Sequence, residues 1–324
     1  MILETKRLIL RPWEETDAES LYEYARDERV GPITGWPAHT SVEMSRNAIK
    51  YVLSAPETYA VCLKEDNKPI GNIGLMIGKN SNLDLPETEG ELGYWIGVPF
   101  WGRGLIPEAA RELIRRAFTE LGLQRLWCGY FDGNEKSKRV QEKCGFVYHH
   151  TDRDILWQKM GDIRTEHITL LTKEDWKSTL SVRHLTEQET PAALSLAWRV
   201  FKEFEAPDYS EAGVEEFNKA LHDEEYLSGL RYFGAFDREK LVGMLTVREE
   251  RGHICFFFVD GRYHRLGLGT RLFDCLKAEV PKNSYTVNSS PYGLPFYKFL
   301  GFQATDSEQT VNGIRFTPMK INFV

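Results

Sequence analysis

Two glycine-rich turns, one in each half of the chain, have the composition of phosphate-binding sites. The first spans residues 101–106 (WGRGLI) and the second spans residues 264–269 (HRLGLG). The start of a helix leaves backbone N–H groups unpaired and carries partial positive charge, and glycine lets a phosphate approach that backbone closely. We therefore expect diphosphate contacts from Gly102, Arg103, Gly104, Leu105 and Ile106 in the first turn, and from Arg265, Leu266, Gly267, Leu268, Gly269 and Thr270 in the second.

The commoner phosphate-binding motifs do not account for these turns. The sequence has no G-x-x-x-x-G-K-[ST] loop, and Pro107 and Leu272 stand where the dinucleotide fingerprint G-x-G-x-x-G requires its last glycine. The alternative is a strand-to-helix turn that needs glycine for its geometry alone.

A second recurring pattern favours the functional interpretation. A short helical segment ends in Gly-Phe at residues 134–146 and again at residues 295–302. The turn and the Gly-Phe segment occur in the same order, at a similar distance, in both halves. This indicates a duplicated architecture.

The hydrophobic periodicity predicts elements that position these motifs. Each glycine-rich turn follows an apolar strand and opens a helix, and the domain boundary is predicted in the polar stretch 176–179. In the first half we predict strands at 7–11, 59–64, 69–77, 89–98, 125–130 and 167–171, with helices at 14–25 and 104–121. In the second half we predict strands at 181–185, 231–236, 241–249, 254–259 and 285–288 and two closing strands, with helices at 191–204, 211–221 and 267–278.

Composition narrows the class of protein. A length of 324 residues suggests about two domains. The formal net charge of −7 argues against a nucleic-acid partner. Five cysteines without a C-x-x-C pair predict neither a disulfide framework nor a zinc site, and favour a reducing, cytoplasmic location. The longest apolar run, residues 254–259, is too short to span a membrane.

With these motifs in view, the chain resembles two tandem domains of the GNAT superfamily of N-acetyltransferases, over residues 1–176 and 180–324. The pyrophosphate loop of that superfamily reads Q/R-x-x-G-x-G/A. Residues 264–269 match it with His264 first, and residues 101–106 match it with Trp101 first and Ile106 last. The first half is similar to the Rim-type branch, which acetylates the N-termini of ribosomal proteins. The similarity lies in those departures, the PEA that follows, the pair Asn134 and Ser137, K-x-G-F at 143–146 and the stretch 35–41.

The resemblance implies an α/β fold of the α+β type in each half. Each domain is expected to contain a mixed, mostly antiparallel sheet of about six to seven strands flanked by helices, splayed between strands 4 and 5. The pantetheine arm of acetyl-CoA is expected in the splay, against backbone groups near Ile96, Val98, Phe258 and Val259. A small-molecule or peptide amine would attack the thioester directly. Pairing of the two domains within the chain, or a homodimer, is left open.

The resemblance also implies catalytic residues. The amine must lose a proton, because a lysine-type ammonium has a pKa of about 10.4, and the departing thiolate benefits from an acid. Tyr297, four residues before Gly301, is expected as the acid and as a cofactor contact in the second domain. In the first domain Gln141 takes the equivalent position, so Ser137 is the substitute, with Asn134 as a further cofactor contact. A core tyrosine and a helix cap are the alternatives.

The general base is predicted at the start of the fourth strand of each domain. Glu91 is the candidate in the first domain and His253 in the second. A surface carboxylate and a solvated histidine are the alternatives. Glu203 and Glu205, on the expected acceptor-side helix, are candidates for attracting a cation.

Two other classes of function are weighed against a two-site enzyme. One half, more readily the first because it lacks the tyrosine, could be a non-catalytic module that binds acyl-CoA or a partner. The whole chain could also be a structural protein that binds no acyl carrier.

Overall fold

The structure of the protein, a computed structural model, describes residues 1–323. The chain divides into two units, Met1–Trp176 and the residues from Lys177 onward. The predicted boundary at residues 176–179 overlaps α6 (Lys173–Ser178), so a helix connects the two units.

The first unit contains one sheet with the order β1-β2-β3-β4-β5-β6-β8-β7. All its neighbouring strands pair antiparallel except β5 and β6, which are parallel. The strands are β1 (Leu3–Glu4), β2 (Leu8–Arg11), β3 (Thr58–Leu63), β4 (Pro69–Ile77), β5 (Glu89–Ile96), β6 (Arg125–Phe131), β7 (Val147–Trp157) and β8 (Asp162–Thr172). The helices are α1 (Ala18–Ala25), α2 (Gly31–Thr34), α3 (Val42–Ala48), α4 (Leu105–Thr119) and α5 (Glu135–Cys144).

The second unit repeats this arrangement with the order β14-β16-β13-β12-β11-β10-β9, and β15 pairs with β16. Only the neighbours β12 and β13 are parallel among its described strands. The strands are β9 (Leu180–His184), β10 (Leu230–Asp237), β11 (Lys240–Arg248), β12 (His253–Val259), β13 (Ser284–Ser289), β14 (Gln303–Ala304), β15 (Gln309–Val311) and β16 (Ile314–Asn322). The helices are α7 (Thr190–Phe204), α8 (Glu211–Ala220), α9 (Glu224–Leu227), α10 (Leu268–Glu279) and α11 (Leu294–Phe299).

Each sheet splays at its parallel pair. Strand β5 pairs with β6 only from Glu89 to Glu91, and β12 pairs with β13 only at His253 and Ile254. Beyond these residues the two strands of each pair separate, which leaves unpaired strand edges facing each other. The predicted fold class, including the splay, is confirmed in both halves.

Helix α4 shows how the sequence fixes these elements. Most of its residues are buried, and Leu113, Ile114 and Phe118 are at most 1% exposed. Burying side chains of this size contributes about 1.5–3 kcal/mol each. Its most deeply buried cation, Arg115, is paired with Glu112 at 2.7 Å. Gly122, at φ +73°, lies just beyond the helix, in the left-handed region that glycine favours.

The sheets contain more strands than expected. Each has eight strands within residues 1–323, against the predicted six to seven. The first half gains the two-residue β1 and the long β7, which sequence periodicity does not predict because its residues are mostly exposed and polar.

Candidate active sites

Both glycine-rich turns lie where a strand of the splayed pair leads into a helix. Gly104 begins α4 with φ +72°, and Gly267 begins α10 with φ +78°. Glycine adopts this left-handed conformation at no steric cost. A Cβ on Gly267 would meet no atom within 4 Å, and one on Gly104 would meet only the Arg7 guanidinium, at 3.7 Å. The space in front of each helix N-terminus is therefore open to a ligand.

The other turn residues have different roles in the two halves. Gly102 and Arg265 occupy the same position in the motif, with φ +75° and +62°. A side chain in this conformation costs roughly 1–2 kcal/mol, so Arg265 keeps a strained backbone at the turn. Gly269 is required for packing, because a Cβ there would come within 2.6 Å of the Phe296 ring.

The first residue of each motif fastens the turn to the strand before it. The Trp101 indole N–H donates to the Ile96 carbonyl at 2.9 Å, and His264 Nε2 lies 2.8 Å from the Val259 carbonyl. Gln and Arg, the usual residues here, also carry N–H donors. The two departures from the superfamily pattern therefore keep an N–H donor at this position. The predicted pantetheine pairing at Ile96 and Val259, like that at Val98 and Phe258, stays a prediction.

In the first domain a glutamate that follows the turn holds it in place through hydrogen bonds. Glu108 accepts hydrogen bonds from the Thr5 hydroxyl at 2.6 Å and the Arg7 backbone N–H at 2.7 Å, and pairs with the Arg7 guanidinium at 2.7 Å. Burial acts to raise the pKa of Glu108, but these bonds outweigh it and lower the pKa below its ordinary value. Arg7 also donates to the carbonyls of Arg103 and Gly104. This explains why the PEA sequence accompanies the loop.

Ser137 lies at the splay of the first domain in a hydrogen-bonded network. Its Oγ is 3.0 Å from the Tyr94 hydroxyl and accepts from Gln141 Nε2 at 3.2 Å. Asn134 Oδ1 caps α5 by accepting from the Ser137 backbone N–H at 3.2 Å. Burial raises the pKa of Tyr94 well above its ordinary value, so this hydroxyl stays protonated. Sequence reasoning missed Tyr94, which supplies a phenol beside Ser137.

Two carboxylates lie near the same splay. Glu91 is buried and accepts hydrogen bonds from the Ser81 hydroxyl at 2.7 Å and the Asn82 backbone at 2.9 Å. Glu166 on β8 lies over Gly129, where a Cβ would come within 2.1 Å of its carboxylate. Burial, and next the charge of Glu91, raise the pKa of Glu166 to about 7. Glu166 is thus better suited to exchange a proton at neutral pH. It was missed because the predicted strand began one residue later, at residue 167.

In the second domain Tyr297 has the surroundings expected of a proton donor. It is buried, and its ring packs against Phe257 and Phe302. Among residues 1–323 its hydroxyl has no hydrogen-bond partner, and the side chain lines a cavity. Burial, with a smaller contribution from the charge of Glu205, raises the pKa of Tyr297 far above its ordinary value. The hydroxyl therefore remains protonated and able to donate.

Glu205 and Glu203 differ in the structure although they are neighbours in the sequence. Glu205 lines the same cavity as Tyr297, whereas Glu203 is exposed on α7 and does not line it. Burial raises the pKa of Glu205 to about 7, although a hydrogen bond with Ser290 opposes the shift. No arginine or lysine in the described part of the chain forms an ion pair with Glu205.

His253 lies at the start of β12, where the splay begins. Its Nδ1 is 2.9 Å from the Thr286 hydroxyl on β13, and it lines the cavity. Burial, followed by the charges of Arg248 and Arg251, lowers the pKa of His253 below its ordinary value. The imidazole is therefore neutral at pH 7 and able to accept a proton.

The cavity of the second domain joins these groups to the glycine-rich turn. Its volume is about 1270 Å³, and its lining includes Tyr297, Glu205, His253 and the turn residues Gly267 and Thr270. Strand β12 has a bulge within it, since Phe256 pairs with Thr246 but Ile254 pairs with Val247. Bulges of this kind reorient backbone groups next to active sites.

Comparison with known proteins assigns both units to one family. Residues 7–147 and 205–323 each match a family described as Acetyltransferase (GNAT) domain. The Bacillus licheniformis N-acetyltransferase p20, whose function is uncharacterised, is 32% identical over 177 residues, which cover 53% of this chain and 97% of p20. The chain belongs to the GNAT acetyltransferase family.

Another relative of this tandem GNAT protein matches a shorter segment. Bacillus subtilis YdaF, named as a candidate ribosomal N-acetyltransferase, is 45% identical over 96 residues, 30% of this chain and 52% of YdaF. The match thus spans about half the length of YdaF. A GNAT-family acetyltransferase of known structure from Bacillus anthracis is 22% identical with a TM-score of 0.47, over 54% of this chain and 99% of its own.

GNAT acetyltransferases use acetyl-CoA as the acyl donor, and the residues of both turns fit its diphosphate. Each turn offers a helix N-terminus behind a left-handed glycine, with open space where a Cβ would stand. Arg265 adds positive charge in the lining of the second site. Over residues 1–323, no helix combines the length and apolar character needed to cross a membrane.

Proposed function

We propose that both GNAT domains bind acetyl-CoA and that each transfers the acetyl group to a primary amine. The observation that carries the proposal is the cavity of the second domain. There, one space connects the diphosphate turn at Gly267, the splayed strand β12 and the side chains of Tyr297 and Glu205. A binding module without chemistry would not need groups with shifted pKa values at that point.

In the second domain the chain's own groups handle the protons. The ammonium of the acceptor gives its proton to Glu205, whose pKa of about 7 suits this exchange, or to neutral His253 across the cavity. The amine nitrogen then forms the C–N bond and the C–S bond of the thioester breaks. Tyr297 donates its proton to the departing sulfur and recovers one from the nitrogen, which must lose it to become an amide, so the products are an N-acetylated amine and the free thiol.

The first domain uses other residues for the same tasks. Ser137, supported by Tyr94 at 3.0 Å, is the donor for the departing sulfur. Glu166 is the base, with a pKa of about 7, and it replaces Glu91 in that role because the carboxylate of Glu91 already accepts three hydrogen bonds or more. The name of YdaF, together with the resemblance to the Rim-type branch, supports a protein N-terminus as the acceptor of this domain.

The proposal is tested on the full chain with one diphosphate turn disabled at a time. Gly104→Val and Gly267→Val force a β-branched side chain into the left-handed region and into the ligand space. Thiol release from acetyl-CoA is then measured over a panel of peptide and small-molecule amines. We expect each single variant to retain the acceptors of the other domain and the double variant to lose all turnover. If Gly104→Val has the full activity of the parent on every acceptor, the first domain is a non-catalytic module.

A further inference from the structure

We propose that the acceptor of the second domain is an arylalkylamine, a primary ammonium joined to an aromatic ring by a short chain without a carboxylate. The inference rests on the proposed acetyl transfer by this domain and concerns the part of the cavity that lies away from the diphosphate turn.

The size of the cavity leaves room for such an acceptor. Ligand pockets commonly measure about 300–1,000 Å³, and this cavity measures about 1270 Å³. One side of it follows the turn at Gly267 and Thr270, where the acyl donor is expected. The other side extends between α8 and β12, past Phe217 and Tyr226.

Aromatic side chains provide the walls on the acceptor side. The half-buried ring of Phe217 stacks on Phe201, with centroids 3.9 Å apart, and meets Phe256 and Phe258 edge-on at 5.8 and 5.7 Å. Tyr226 meets Phe256 edge-on at 5.9 Å. Such walls favour an aromatic ring through stacked and edge-to-face contacts, and they attract a cation at ring faces.

The charges on this side select a cation. Glu205 and Glu216 line the cavity. The two cations that line it here are engaged by carboxylates outside it: Lys219 lies 3.6 Å from Glu215, and Arg315 lies 2.8 Å from Glu308.

The same charges exclude a carboxylate on the acceptor. An aromatic amino acid would bring its carboxylate beside Glu205 and Glu216, and the lining cations Lys219 and Arg315 already face other carboxylates, Glu215 and Glu308. A desolvated, unpaired charge is costly. The acceptor is therefore the amine alone rather than the amino acid.

Three small amines separate the contributions of ring and charge. Phenethylamine has both the ring and the single positive charge, phenylalanine adds a carboxylate, and hexylamine lacks the ring. Turnover is measured on the full chain carrying Gly104→Val, so that thiol release reports the second domain. We expect kcat/KM for phenethylamine to exceed that for each of the other two by about tenfold or more, the scale on which pockets discriminate such groups. Phenylalaninamide, which mimics a peptide N-terminus, is also measured. If it is the best acceptor, the proposal is overturned.

Two variants test the walls and the charge separately. Phe217→Leu is expected to raise KM for phenethylamine at least fivefold and to leave hexylamine unchanged, whereas the control Phe323→Leu, outside the cavity lining, changes neither. Glu216→Lys supplies a cation and is expected to shift the preference toward phenylalanine by about tenfold. Thermal unfolding of each variant identifies any loss of folding, and the Glu216→Lys gain cannot come from an unfolded protein.

The outcomes distinguish a failure of the arylalkylamine assignment from a failure of the proposed acetyl transfer by this domain. If the second domain acetylates amines but uses phenylalanine or hexylamine as well as phenethylamine, the arylalkylamine assignment is wrong and the acetyl transfer stands. The proposed function of this domain fails as well if acetyl-CoA does not bind to it, or if Gly267→Val does not abolish the binding.

Discussion

Removing the Tyr297 hydroxyl should separate chemistry from stability in the second domain. In Tyr297→Phe the ring contacts with Phe257 and Phe302 persist, and the hydroxyl has no hydrogen-bond partner in residues 1–323 to lose. The free energy of unfolding should therefore change by less than about 0.5 kcal/mol. General acid catalysis contributes about 10²–10⁴-fold, so kcat should fall by about a hundredfold or more.

Tyr285 offers a matched control in the same domain. Its hydroxyl is buried and donates to the Val280 carbonyl at 2.5 Å. Tyr285→Phe leaves that carbonyl without this partner and should cost about 1–3 kcal/mol of stability. Since Tyr285 does not line the cavity, its loss should leave kcat unchanged.

The assay is thiol release with saturating acetyl-CoA and amine, in the Gly104→Val background, combined with denaturant unfolding of each variant. The acid role of Tyr297 is refuted if Tyr297→Phe keeps kcat within twofold of the parent. It is refuted equally if Tyr297→Phe loses as much stability as Tyr285→Phe, because the hydroxyl would then be a structural group.

Three further predictions concern the first domain. Its kcat/KM should rise with pH with a midpoint near 7, because Glu166 must be ionised to act as a base and its pKa is about 7. If Glu166→Gln shows the same rise of kcat/KM with pH, Glu166 is not the base. A carboxyl whose pKa is raised from 4.5 to about 7 by folding costs stability progressively over that pH range, so Glu166→Gln should raise the free energy of unfolding at pH 8 by about 3 kcal/mol. An unchanged free energy of unfolding at pH 8 would contradict the burial of this carboxyl. Breaking the buried pair of Arg11 and Asp17, 2.7 Å apart, by Asp17→Asn should cost about 3–5 kcal/mol. Glu43→Gln, in the exposed pair with Arg46, should leave the unfolding midpoint unchanged, and equal effects of the two substitutions would show that burial does not matter here.

The sequence was most informative where backbone conformation and burial leave a periodic pattern. The glycines at 104 and 267 and the apolar runs of β4 and β12 predict the turns and the central strands, because left-handed backbone and buried strands demand those residue types. The resemblance to one superfamily then predicted the splay, which the structure contains, and the acid role of Tyr297, which stays a prediction.

Side-chain contacts between distant segments could not be predicted in this way. Glu166 lies over Gly129, and Tyr94 reaches Ser137, only because the sheet order brings these strands and helices together. The contrast between Glu203 and Glu205 depends on which side of α7 faces the cavity. Strand β7 was missed because its polar, mostly exposed residues give no apolar alternation.

We propose that two helix N-termini in this chain each hold the diphosphate of acetyl-CoA. Calorimetric titration of the full chain with acetyl-CoA tests it most directly, with Gly104→Val and Gly267→Val as single and double variants. We expect two equivalents bound by the parent, one by each single variant and none by the double variant. Saturable binding that neither substitution alters, or no binding to the parent, would contradict the account.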